Sequence, residues 1–117
     1  MTKHNQRVGG WGEGIAADFL AERGCEILAR NIRTPYGEID IIARQGDVTI
    51  FAEVKTLTTS RNFYPEHNIT ARKREHMLAA AEHYASENNI DHWQIDVIAI
   101  EGNPSAKPVV TYFENAI

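Results

Sequence analysis

GEIDIIARQGDVTIFAEVK, from Gly37 to Lys55, is the stretch on which the fold turns. Two apolar runs flank a Gly-Asp pair, the pattern of a β-hairpin. With Gly46 and Asp47 as a two-residue II′ turn, Asp40 stands opposite Glu53 and Glu38 opposite Lys55. Side chains alternate along a strand, so this register puts all four charged residues on one face. Ile39, Ile41, Ala43, Ile50, Ala52 and Val54 then make the other face, a core surface. Directly opposed residues have Cβ atoms about 5 Å apart, so Asp40 and Glu53 repel if both are ionised. The repulsion is tolerable if one carboxyl holds a proton or a cation lies between them. A hard cation such as Mg²⁺ suits the pair, because it keeps several waters and takes one or two carboxylates from the protein. Lys55 would sit beside the same point, placed to orient a water or to stabilise charge on a phosphate. The plain alternative is a solvated strand face with a Glu38–Lys55 ion pair. A three-residue loop with a bulge would also shift the opposing pair.

Outward from the hairpin, the pattern predicts seven elements in the order αβββαββ. Trp11 to Arg23 has apolar residues at helical spacing and ends at Gly24, where a cap glycine belongs. Residues 25–32, CEILARNI, read as a strand, and RTPYG as a turn. The hairpin strands cover 37–44 and 48–55. Residues 56–69 are polar and contain a proline, which predicts a long mobile loop. A second helix runs from Thr70, its N-cap, to Glu87. HWQIDVIAI is nearly continuously apolar, a central strand covered on both faces. VVTYF is a last strand. Residues 1–10 are polar and glycine-rich, which predicts a flexible arm.

The chain has 117 residues, 43% hydrophobic and 24% charged, which suits one globular domain over 1–117. One cysteine, Cys25, excludes an intrachain disulfide and reads as a small buried hydrophobe. No run reaches the length of a membrane span and the start lacks a signal-peptide core, so a cytoplasmic protein with no membrane partner is expected. The net charge of −4 argues against nucleic-acid binding by bulk charge. Phosphate contacts would have to come from a local patch.

Several segments together resemble the bacterial YraN family: GEGIAADFL, ILARNIR, GEIDIIA and FAEVK, followed by ITARKREHM, DVIAI and FENAI. The resemblance runs from about residue 10 to the C-terminus. That family is similar to the PD-(D/E)XK superfamily, the restriction-endonuclease-like fold, and in its helix-led layout to archaeal Holliday junction resolvases. The resemblance implies an α/β fold, a mixed β-sheet flanked by helices. It also implies Mg²⁺-dependent hydrolysis of phosphodiester bonds in DNA, with branched DNA as a candidate substrate and Mn²⁺ as a substitute metal. Carried over by motif, Asp40 fills the aspartate position, and Glu53 and Lys55 the E-x-K. Glu13 matches a glutamate that resolvase-like members place beside the metal. The residues alone offer another reading of Glu13, a carboxylate in a first helical turn. A homodimer suits duplex or junction cutting.

Arg72, Lys73 and Arg74 fall in the first turn of the second helix, where cations oppose the dipole but where phosphate binds well. They are candidate nucleic-acid contacts, with Arg61 from the loop. Tyr64 and Phe63 are candidates for stacking on unpaired bases. Asp96 interrupts the most apolar strand and is expected to accept structural hydrogen bonds. A non-catalytic nucleic-acid-binding or adaptor protein on the same fold is the alternative function.

Overall fold

The computed structural model describes residues 3–57, 63–102 and 105–117, with side chains from residue 10 onward. Helix α1 (Lys3–Glu22) is followed by strands β1 (Glu26–Thr34), β2 (Gly37–Gln45) and β3 (Val48–Leu57). A short helix α2 (Pro65–Asn68) and helix α3 (Ala71–Glu87) lead to β4 (Trp93–Glu101) and β5 (Val109–Phe113). The five strands form one sheet in sequence order. β3 and β4 are parallel, joined by the crossover through α3, and the other neighbours are antiparallel. This is the α/β class expected from the sequence, a mixed sheet flanked by helices.

The sheet has a core on each face. Ala16, Ala17 and Leu20 of α1 pack on Ile41, Ala43, Ile50, Ala52, Ile98 and Ile100. Ala80, Ala81 and Ala85 of α3 pack on Ile39, Ile42, Phe51 and Ile95. Small alanines on both helices allow close approach to the larger side chains of the strands. β4 lies between β3 and β5 and is buried from Ile95 to Ile100, as its unbroken apolar run predicts.

Local signals place most boundaries. Gly24 has φ +92, and Cys25 N–H donates to Leu20 O at 3.0 Å, the six-to-one bond of a Schellman cap. Thr70 caps α3, its hydroxyl accepting from Lys73 N–H at 3.1 Å. Gly46 has φ +63 while Asp47 is not in the left-handed region, as a II′ turn requires. Cys25 is buried.

Two expectations are corrected. The predicted arm is helical from Lys3, since α1 begins eight residues before Trp11. Its glycines lower propensity, but Trp11 packs on the core and against Gly102, and packing outweighs propensity. The predicted loop is shorter than 56–69. β3 continues through Leu57 because β4 pairs with it as far as Glu101, and Pro65 starts a helical turn. Residues 58–62, including Arg61, lie outside the described residues. Among the described residues no helix is long and apolar enough to cross a membrane.

Candidate functional site

The hairpin register is the expected one from the turn to Ile41–Ala52, and there the ladder stops. Hydrogen-bonded pairs alternate along an antiparallel ladder, so Val54 N–H would next donate to Ile39 O. It donates instead to Asp40 Oδ2, at 2.8 Å. The Asp40 carboxylate thus takes the place of a backbone acceptor and parts the two strands at their far end. One consequence corrects the expected faces. Ile39 packs under α3, whereas Ile41, two residues on, packs under α1. Strict alternation fails at Asp40 because its side chain occupies the ladder. Glu38 does not oppose Lys55 either. It lies 4.0 Å from Arg33 of β1, and the Lys55 side chain is exposed.

Asp40 and Glu53 meet where the strands part. Their carboxyls act on one another, the contact lowering Asp40 and raising Glu53. Burial, then the charge of Asp40, pushes Glu53 up to about 7, while Lys73 opposes the shift. Asp40 is also raised, by burial first, against the lowering effects of the Val54 N–H and of Glu53.

The cation at this pair comes from α3. Lys73 Nζ lies 3.2 Å from Glu53 Oε1, whose side chain is 18% exposed. Lys73 was expected at a phosphate, so its contact with Glu53 is a relation that the sequence did not show. Sequence separation hides it, because a crossover brings residues 53 and 73 together. Arg74 is corrected as well. Its guanidinium donates to the carbonyls of Pro65 and Ile69, fastening α2 to the start of α3. Arg72 is exposed. Glu53, Lys55, Phe63, Asn68, Ile69, Thr70 and Lys73 line a cavity of about 210 Å³. Within its wall Asn68 is committed to Tyr64 N–H at 2.8 Å, and Phe63 packs edge-on against Phe113. Tyr64 is 48% exposed and its ring meets only His67 among the described ring contacts.

Glu13 approaches from α1. Gly12, buried beside it, lets the helix lie on β3: a Cβ there would come 2.3 Å from Thr56 Oγ1. Glu13 is half-buried, but its Oε1 is fully buried and has no hydrogen-bond partner. Burial first, then the negative charge of Asp40, raises its pKa, while Arg30 and a hydrogen bond from Asn31 lower it. Asn31 was not foreseen as part of this site. Its φ of 53 carries the signal, since asparagine tolerates the left-handed region better than most residues. The expected three-carboxylate metal cluster is not assembled: among the described residues no three acidic, histidine or cysteine side chains form a group that could hold a metal. Asp40 and Glu53 alone nevertheless fit a hard divalent ion that takes two protein oxygens and water for the rest. The orphaned Glu13 oxygen adds unsatisfied negative potential nearby.

Asp96 is fully buried and structural, as expected. It accepts from Tyr112 Oη, from Gln94 Nε2 at 2.9 Å and from Asn115 N–H at 2.8 Å. These bonds tie the C-terminal segment to β4 on the α1 side of the sheet.

The chain is 45% identical over 102 residues to a UPF0102 protein of Syntrophotalea carbinolica, covering 86% of this chain and 83% of that one. A UPF0102 protein of Roseiflexus castenholzii is 39% identical over 112 residues, covering 93% and 90%. One of Treponema pallidum is 40% identical over 107 residues, covering 89% and 85%. Among solved structures, SfsA of Pyrococcus furiosus in complex with Ca²⁺ aligns with a TM-score of 0.37 at 16% identity; the match covers 89% of this chain and 60% of that chain. The model described as "Uncharacterised protein family UPF0102" matches residues 12–100, a span that holds Glu13, Asp40, Glu53, Lys55 and Lys73. The chain belongs to this family, the YraN family.

Proposed function

We propose that the protein is a metal-dependent endonuclease that hydrolyses phosphodiester bonds in DNA, with Mg²⁺ as its ion and Mn²⁺ as a substitute. One observation carries the reading: two half-buried carboxyls, Asp40 and Glu53, meet where β2 and β3 part, and Glu53 lines a cavity together with Lys55 and Lys73. Asp40 is held in place by Val54 N–H, so its free oxygen is aimed without loss of rotamer freedom. Asp40 and Glu53 would hold the ion, with Glu13 contributing charge from α1. When bound, the ion supplies Lewis acidity and lowers the pKa of its water. Lys55, exposed at the rim of the same cavity, is placed to bind the scissile phosphate and stabilise charge developing on it. Arg72, exposed at the start of α3, extends the backbone contact. Tyr64 offers a ring for an unpaired base.

The experiment is cleavage of branched, flapped and linear DNA with Mg²⁺ by wild type, Asp40→Asn and Glu53→Gln. The expected result is cleavage by wild type and a loss of at least about a hundredfold in each variant. Equal rates in all three would sink the reading. The ion pair of Lys73 with Glu53 favours a second reading, a nucleic-acid-binding protein in which lysine has replaced the metal. That version binds DNA at low salt, cleaves nothing and gains no stability from Mn²⁺.

A further inference from the structure

Lys73 is anchored at its base, and its tip is held by Glu53 alone among the described ion pairs. Its backbone N–H is fixed by the Thr70 cap, while its side chain is about half exposed and reaches from the first turn of α3 to Glu53 on β3. The first turn of α3 contains no acidic residue, so three consecutive cations face the positive end of the helix dipole. Glu53 is the acidic partner that offsets this for Lys73. The Lys73 charge also lowers the pKa of Asp40. It lines the cavity of about 210 Å³ as well, which gives the side chain room to move away from Glu53. Lys55 lines the same cavity but makes no ion pair with either carboxyl among the described residues.

We propose that Lys73 is a built-in stand-in for the divalent cation. Its ammonium holds the Asp40–Glu53 pair while no metal is bound, and yields the position to the incoming ion. On exchange the ammonium moves into the adjoining cavity, where it becomes a phosphate-binding group of the loaded site. No bond is made or broken: one cation replaces another at the carboxyls, and the displaced charge stays on the protein. The inference rests on the metal reading of the site and adds a positioning residue to it, with a role that precedes chemistry.

Two measurements test it, neither of them nuclease activity. In the first, Mn²⁺ is titrated calorimetrically into wild type, Lys73→Met, Lys73→Arg and Arg72→Met. Loss of the competing charge in Lys73→Met tightens Mn²⁺ binding about tenfold or more. Lys73→Arg keeps the charge and stays near wild type, as does Arg72→Met, which removes a charge from an exposed neighbouring position. In the second, the amines of wild type are acetylated with a trace of anhydride, and each lysine is followed by mass spectrometry. Lys73 is protected without metal, and its labelling rises severalfold on addition of Mg²⁺. Unchanged or weaker Mn²⁺ binding by Lys73→Met, or Lys73 labelling indifferent to Mg²⁺ that wild type binds, overturns the stand-in role and leaves the metal site intact. If neither wild type nor any variant binds Mn²⁺, the metal reading and the stand-in role fall together.

Discussion

Glu53 carries the clearest chemical signature at the scale of single residues. An unfolded glutamate titrates near 4.5, and in the folded protein burial and Asp40 push Glu53 up to about 7. The folded state therefore binds this proton more tightly. Its contribution is fully present below pH 4.5, shrinks as pH rises, and is gone above the folded value. Across that window deprotonation of Glu53, coupled to Asp40, removes stability from the folded protein. Glu53→Gln keeps the shape and abolishes the titration, so its urea midpoint should fall less than that of wild type between pH 4.5 and 8. Parallel curves would mean that Glu53 is already ionised in the folded protein. The candidate residues Asp40 and Glu53 were legible from alternation and turn chemistry. The Asp40–Val54 bond was not, because a carboxylate that replaces a ladder acceptor looks in sequence like any other outward-facing residue.

Among the elements, α1 shows how one helix can treat similar residues differently. Gly10 and Gly14 are one helical turn apart, whereas Gly12 falls on the face that carries Ala16 and Leu20 into the core. A Cβ on Gly10 or Gly14 meets nothing within 4 Å, whereas one on Gly12 meets Thr56 Oγ1 at 2.3 Å. Either Thr56 must leave its rotamer or the helix must lift. Gly10→Ala and Gly14→Ala should each stabilise by about 0.5–1 kcal/mol through helix propensity. Gly12→Ala should destabilise by about 1–3 kcal/mol and displace Glu13 from Asp40. Thermal melts of the three variants check this, and stabilisation by all three would show that α1 does not press on β3. The first turn of α3 makes the converse point. Its cap was readable at Thr70, but the division of labour among Arg72, Lys73 and Arg74 depends on α2 and β3.

For the whole molecule, the net charge of −4 restricts how DNA would be held under the proposed function. With Arg74 committed to backbone carbonyls, Lys55, Lys73 and Arg72 are, among the described residues, the cations at or beside the cavity that remain for phosphates under the proposed function. Each neutralised phosphate contributes about −0.9 to the slope of log K against log salt. About three contacts predict a slope near −3 for duplex DNA, measured by fluorescence anisotropy with the Asp40→Asn protein. A slope of about −8 would require a broad basic surface, which an acidic chain of this size does not readily provide. The sheet order also explains why the site lies where it does. The parallel β3–β4 pair needs a crossover, and the crossover helix returns its N-terminal turn to the carboxyl end of β3.

The sequence by itself determined the order of the elements apart from the short helix α2, the hairpin register near its turn, the caps at Gly24 and Thr70, and the identity of the two central carboxyls. All of these depend on residues close along the chain, where periodicity and turn geometry act directly. Only the tertiary structure decided the break in the ladder at Asp40, the face change between Ile39 and Ile41, the burial of Glu13 Oε1 and the meeting of Lys73 with Glu53. Each depends on the packing of segments distant in sequence, where desolvation and contact with a neighbouring element, rather than local preference, select the conformation.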